Sequence, residues 1–319
     1  MNKEIKKSTR QAYGEMLVKI VEDNDKVVVL DADLAKSTKS ILVKEKYPDR
    51  FYNFGIAEQN MVSIAAGLAS CGFIPFASTL SVFATQRACD QLTVSVCYPN
   101  LNVKLIGTHA GISIGKDGAT HQAISDIAIS RSIPNLTVIV PADAVETEKA
   151  VRAIARMKGP VYLRLGRSDL PYIFDEGYDF QVGKGSVVVK GKDIALVANG
   201  IMLHEAVKAR EILLKEGIDV EVVNMATVKP LDENLLLEEA QKFGALVVAE
   251  EHNVTGGVGS AISEYLSEIY PVPIIKVGVK DCFAESGAPD DLFKKYGLTA
   301  IDIAGGIRKA LDLRRRRKC

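Results

Sequence analysis

The sequence contains no tryptophan and only four histidines. No stretch of it approaches the roughly 18 consecutive apolar residues of a membrane-spanning helix. Net charge is missing too, because forty Lys and Arg balance forty Asp and Glu, so no bulk field draws the chain to nucleic acid or to a membrane. The five cysteines, Cys71, Cys89, Cys97, Cys282 and Cys319, are odd in number and lack any C-x-x-C spacing, which suggests neither a disulfide framework nor a zinc site. They read as small core residues in a reducing compartment. The opening MNKEIKKSTRQAYGEM carries charges but no apolar core of signal-peptide length, so a cytoplasmic protein is expected. The one charge run, Arg314 to Lys318, reads as a solvated end beyond the last helix. No G-x-x-x-x-G-K-[ST] loop is present, which removes an ATPase of that type.

What is there is an alternation of short β-branched runs with helical stretches from end to end, the pattern of α/β architecture. Two open, mostly parallel sheets with helices on both faces are expected. First-half strands are predicted at Val27 to Leu30, Phe73 to Ala77, Val103 to Gly107, Thr137 to Val140 and Val161 to Leu165. One helix between them opens at Asp143-Ala-Val-Glu146, a capping-box spacing. From Ser168 to Gly185 the periodicity fails amid Pro, Gly and acidic residues, the mark of a linker. Strands resume at Ile194 to Ala198, Val220 to Asn224, Leu246 to Ala249 and Ile274 to Val277, with helices at Leu203 to Glu216, Asp232 to Phe243 and Val258 to Ile269. Domains are therefore expected at 1–175 and 186–319.

Ligands of open α/β sheets gather at the carboxyl ends of strands, so the stretches following strands matter most. THAGISIGKDGATHQ places His109, Asp117 and His121 in one Gly-rich loop, and a long loop inside a compact domain is usually functional. Their spacing matches no closed zinc pattern; two histidines and an acid suit hydrogen bonding and proton carriage to a polyol. EEHNVTGGVGSAIS, Glu250 to Ser263, also follows a strand and opens a helix. With only Gly257-x-Gly259 it reads first as a tight turn with close helix packing and second as a phosphate seat. Arg164 and Arg167 end the last strand of the first half, either as anion binders or as a solvated pair. Glu58 is a lone carboxylate at the head of an otherwise apolar or small-residue helix, where an ionised group needs a partner.

Taken together, FGIAEQNM, STLSVFATQRACDQ, THAGISIGKDGATHQ and YLRLGRSDLP resemble, in order and spacing, the pyrimidine-binding domain of the transketolases. VVNMATVKPLDEN and VVAEEHNVTGGVGSAI resemble their C-terminal domain, so that the resemblance covers essentially the whole chain. It implies thiamine diphosphate as cofactor, with Glu58 sharing a proton with a ring nitrogen of the aminopyrimidine, Phe83 stacking on that ring and Leu80 beside it. It implies catalytic roles for Glu58, His109 and His121, sugar contacts from His109, Asp117 and His121, and a hold on the sugar phosphate by Arg167. The implied reaction moves a two-carbon ketol unit from a ketose phosphate such as xylulose 5-phosphate to an aldose phosphate, the carbohydrate chemistry of the pentose phosphate pathway.

The sequence departs from the family at Ala110, Lys116 and Ala119 of the loop and at Leu80 and Gln86 near Phe83, which leaves the donor and acceptor sugars open. Gln86-Arg87-Ala-x-Asp-Gln is similar to deoxyxylulose-phosphate synthase. The Gly-Asp-Gly motif with which the family binds Mg2+ and the diphosphate is absent. The resemblance thus implies an N-terminal partner chain carrying Mg2+, a heterotetramer, and no metal site, nucleic acid or membrane for this chain. The β subunit of a 2-oxo-acid dehydrogenase, a deoxyxylulose-phosphate synthase and a non-catalytic scaffold remain as alternatives.

Overall fold

Runs such as VVVLD at Val27–Asp31 are buried at every position. A strand without polar alternation has both faces covered, as in a parallel sheet between helices. In the computed structural model, which describes residues 6–318, these runs form the expected strands. Cys319 and the first five residues of the N-terminal stretch lie outside the described part. The first half holds β1 (Lys6–Ser8), β2 (Val27–Asp31), β3 (Phe51–Asn53), β4 (Ile74–Leu80), β5 (Lys104–Thr108), β6 (Thr137–Ile139), β7 (Val161–Arg164) and β8 (Asp169–Pro171). The second holds β9 (Ser186–Val189), β10 (Ile194–Ala198), β11 (Val220–Asn224), β12 (Thr227–Lys229), β13 (Leu246–Asn253) and β14 (Ile274–Val279).

Besides the pair β1-β8, they build two larger sheets, one of seven strands in the order β12-β6-β7-β5-β4-β2-β3 and one of five in the order β14-β13-β10-β11-β9. Within these two larger sheets pairing is parallel except for β12 and β9 at the edges. β12 crosses over: it belongs to the second half of the sequence yet pairs antiparallel with β6 of the first sheet. One apolar cluster accordingly runs without a break from Leu30 and Val138 through Val228 and Met225 to Val197 and Val248.

The expected linker is pinned at several points. β8 pairs antiparallel with β1. The Asp143 carboxylate accepts from Ile173 N at 2.7 Å and Phe174 N at 2.8 Å, and also caps its own helix through Glu146 N at 2.8 Å, as the capping-box spacing predicts. Tyr178 stacks on Phe174 at 3.9 Å and donates to buried Glu146.

Two expectations fail. Among the described cysteines only Cys97 is buried; Cys89 is intermediate, and Cys71 and Cys282 are exposed because they sit in turns at the surface. The basic run continues the helix Ala300–Lys318 instead of lying beyond it. Arg314 donates to the carbonyls of Asp193 and Phe243, so part of the charge run ties that helix to the second sheet.

Candidate functional site

Register brings the sequence-predicted residues to one edge. In adjacent parallel strands Leu80 lies beside Thr108 and Gly107 beside Arg164, so the segments leaving β4, β5 and β7 emerge together at their carboxyl ends. Leu80, Val82, Ile114 and Ala123 form a small buried cluster against which Leu34 and Phe83 pack. After β4 the chain makes two wide turns with hydrogen bonds to the fifth residue back, Ala88 N to Phe83 O and Tyr98 N to Thr93 O. Such bulges recur at functional sites because they re-aim side chains.

Glu58 is the first residue of the helix Glu58–Ser70 and is only 4% exposed. The free N–H groups of a helix start favour a carboxylate there. Its partner is Arg87, whose Nη1 lies 3.2 and 3.4 Å from the two Glu58 oxygens and whose guanidinium carbon sits 4.0 Å from the centre of the Phe83 ring. His121 meets Phe83 edge-on, with ring centres 5.3 Å apart. A hollow of about 530 Å³ opens beside Glu58, lined by Ile56, Ala57, Gln59, Asn60 and Arg87. A buried carboxylate, an aromatic face and an apolar wall are the donor set that a flat, polar-edged heterocycle such as an aminopyrimidine requires. These residues fit that group.

His109 is buried and takes a left-handed backbone with φ 58°, uncommon for a residue with a side chain. Arg10 Nη1 lies 3.3 Å from His109 Nε2 and Thr108 Oγ1 lies 2.8 Å from Nδ1. Since a guanidinium only donates, Nε2 accepts and Nδ1 carries the proton toward Thr108. Burial, with the nearby charges of Arg10 and Arg167, pushes the His109 pKa down to about 3. At neutral pH His109 is therefore an uncharged hydrogen-bonding group. Arg167 donates to Ile114 O at 2.8 Å and to Asp117 at 2.9 Å, both partners of that ion pair being about half-exposed. His121 is half-buried, with Thr120 Oγ1 2.9 Å from its Nδ1.

Arg10 was not foreseen. It stands in the first turn of the helix Thr9–Asp23, donates to Ser37 O at 2.8 Å, and its buried Nε has no partner. Burial and the neighbouring charge of Arg167 lower its pKa. Two guanidiniums near enough to influence each other's charge are chemistry suited to an anion. No local signal marks Arg10, because the helix that carries it meets the loop only through the fold.

Arg164, by contrast, is not solvated, and the anion it binds is a carboxylate of its own chain. It is 4% exposed and bonds to Asp126 at 2.6 and 3.2 Å, with Tyr162 OH on the same carboxylate at 2.7 Å. Burial alone would raise the Asp126 pKa, but the Arg164 charge and hydrogen bonds hold it low. Arg164 Nη2 also reaches the carbonyls of Ala123 and Glu251, tying the second sheet to the site loop. The Gly257-x-Gly259 turn is likewise a packing device. Glu250 places its own carboxylate on the N–H groups of Val258 and Gly259 at 2.7 and 3.0 Å, where a phosphate would have to sit.

Among the described residues no three His, Cys, Asp or Glu side chains converge to hold a metal ion, and no helix is long and apolar enough to cross a membrane.

Residues 5–172 match the family described as transketolase, pyrimidine binding domain, and residues 183–303 match transketolase, C-terminal domain. A protein of Methanocaldococcus jannaschii described as a transketolase C-terminal section is 44% identical over 308 residues, 96% of either chain. A 6-deoxy-6-sulfo-D-fructose transketolase subunit of Clostridium sp. strain MSTE9 is 42% identical, covering 95% of this chain and 94% of its own. Human transketolase is 40% identical over 94% of this chain but only 48% of its own length. Among solved structures, one described as a split gene transketolase, inactive beta4 tetramer, is 50% identical with a TM-score of 0.88, covering 96% of this chain and 99% of that one.

Proposed function

Since the chain belongs to the transketolase family and carries its pyrimidine-binding and C-terminal domains, we propose that it is the C-terminal subunit of a two-chain transketolase. The complex moves a two-carbon ketol unit from a ketose phosphate, such as xylulose 5-phosphate, to an aldose phosphate. A pyrimidine-binding domain of this family implies thiamine diphosphate, which supplies the nucleophilic carbon and electron sink for carbon–carbon cleavage.

This chain's part is to bind, orient and move protons. Glu58 turns its carboxylate to a ring nitrogen of the pyrimidine and holds a shared proton there. Phe83 offers a ring face, and the wall of Leu80, Val82, Ile114 and Ala123 keeps water out. Arg10 and Arg167 take the sugar phosphate, with Asp117 fixing Arg167. His109, uncharged, accepts from a sugar hydroxyl, and His121, at the edge of Phe83, moves a proton at the reacting oxygen. The observation that carries this reading is the convergence of buried Glu58, Phe83 and His121 through Arg87 and the ring contact.

The diphosphate and Mg2+ fall to an N-terminal partner, with two copies of each chain in a cytoplasmic heterotetramer. Support comes from the end-to-end match to a transketolase C-terminal section and from the human enzyme, which extends well beyond its match. The similar structure described as an inactive tetramer supports the expectation that the pure chain transfers no ketol unit. The Clostridium relative's name keeps ketoses other than xylulose 5-phosphate among the donors to be tested.

The test is to tag the chain, isolate it natively with Mg2+ and thiamine diphosphate, identify its companion, and assay ketol transfer by each chain and by the two together. Activity of the pair alone supports the reading; activity of this chain by itself, or a companion of the 2-oxo-acid dehydrogenase type, overturns it.

A further inference from the structure

The loop that carries His109, Asp117 and His121 belongs to the first half of the sequence, yet part of its support comes from the second sheet. Glu251 lies on β13 and is 4% exposed. Its Oε1 accepts from the backbone N of Ser113 at 2.6 Å, midway between His109 and Asp117. Gly111, two residues after His109, has φ 73° and passes so close that an added Cβ would stand 2.1 to 2.3 Å from the Glu251 carboxyl atoms. The loop backbone rests directly on this carboxyl group.

The neighbours of Glu251 on β13 act on the continuation of the same loop. Its carbonyl accepts from Arg164 at 3.0 Å. His252 accepts at Nε2 from Ala128 N, 3.3 Å away, because Nδ1 is directed at the Asn253 carbonyl. Asn253 N donates to Ile124 O at 2.9 Å. The loop closes on itself through the pairing of Gly111 with Ala123. Of the two contacts made by β13 side chains, at Ser113 and at Ala128, only the one at Ser113 falls in the segment between the two candidate sugar-contacting groups His109 and Asp117.

We propose that Glu251 is a positioning residue for the site loop: by holding Ser113 N and the face of Gly111 it sets the placement of His109 and of the Ile114–Asp117 segment on which Arg167 docks. The inference rests on the reading of residues 109–122 as the sugar-contacting loop. It gives the second sheet a part in substrate geometry, with no direct contact to substrate.

Three variants separate reach from acidity. Glu251→Gln keeps an oxygen at the right distance without the acid, Glu251→Asp keeps the acid but is one methylene short, and Glu251→Ala removes both. Hydrogen exchange is followed in the full chain, and KM and kcat for a phosphorylated ketose in the complex with the partner chain. Loss of one buried hydrogen bond should speed exchange of the 111–117 amides about 10-fold or more in the Ala and Asp variants, with Gln close to the parent chain. Displacement of the loop should raise KM by about 10-fold in the same two variants, with kcat and thiamine diphosphate affinity changed far less.

Unchanged exchange in the loop overturns the inference, as does loosening spread evenly over the second sheet, which would make Glu251 an ordinary core group. If the Ala variant fails to fold, the contrast between Asp and Gln decides by the same criteria. Loop loosening with KM unaltered would leave the positioning role standing and remove the reading of the loop as the sugar contact.

Discussion

Both oxygens of the nearly buried Glu58 face one guanidinium nitrogen of Arg87, at 3.2 and 3.4 Å. The pair is asymmetric, because Glu58 is 4% exposed while the Arg87 side chain is 50% exposed. Arg87 can swing into water, whereas Glu58 is fixed by its helix, so the carboxylate is the member that can serve a bound ring. Replacing Glu58 with Ala should lower ketol transfer by the reconstituted complex by about 10²- to 10⁴-fold, the range for loss of a positioned proton carrier. Co-purification with the partner should be unaffected. Near-normal turnover would sink the role given to Glu58.

Burial, and after it the charges of Arg10 and Arg167, lower the basicity of His109. Arg10→Ala and Arg167→Ala should each raise KM for a phosphorylated donor by about 10- to 100-fold, the loss of one or two charge-assisted hydrogen bonds. The same variants should barely change KM for an unphosphorylated ketose. Equal effects on both substrates would place the two arginines in loop support instead.

His109 should make the chain sensitive to acid. Its folded pKa is about 3 against about 6.5 in an unfolded chain. Between these values the unfolded state binds the proton and the folded state does not, so stability is complete above pH 6.5 and falls as pH drops toward 3. By pH 5 the deficit from this one residue is about 2 kcal/mol, at about 1.4 kcal/mol per pH unit. Urea midpoints for the parent chain and His109→Gln, measured from pH 7.5 to 5, should converge as the pH falls. Parallel lines would refute the assignment of His109 as buried and neutral.

Gly257 has an ordinary φ of −79°, so it is required for space and not for backbone freedom. A Cβ there would meet Glu250 Oε2 at 1.9 Å. Gly257→Ala should cost about 1–3 kcal/mol through overpacking and displacement of the helix cap. Gly305, inside a helix with nothing within 4 Å of its added Cβ, should instead gain up to about 1 kcal/mol when changed to Ala. Thermal melts of the two variants should move in opposite directions.

How much was legible in the sequence depends on what each feature requires. β10 and β11 run at their predicted bounds, β10 because an unbroken apolar run leaves no choice of face and β11 because its β-branched residues are bounded by turn signals. β13 was predicted to stop at Ala249 but continues to Asn253, since Glu250, Glu251 and His252 read as polar and are in fact buried with partners. Buried polar groups hide from hydropathy for that reason. Arg164 was misjudged in the same way: a charge at a strand end looks like a surface group until Asp126 is found across the fold. Glu58 stood out in the sequence as a lone carboxylate heading an apolar helix, and His109 and His121 as members of a Gly-rich loop after a strand, whereas Phe83 came only through the family resemblance. Arg10 and the contact of Glu251 with Ser113 were not legible, for they depend on how distant elements pack.

The crossing of β12 from one half of the sequence into the sheet of the other makes the two halves mechanically inseparable. A fragment cut at the 168–185 segment would leave the edge of β6 bare, its backbone groups open to any passing strand. Such a fragment would be sticky and not an independent module. Mixing the two parts should restore a sound edge only when the second part can thread Thr227–Lys229 back into place. Exchange of C-terminal portions between relatives would then succeed or fail on the fit of that short strand, far from any reacting atom.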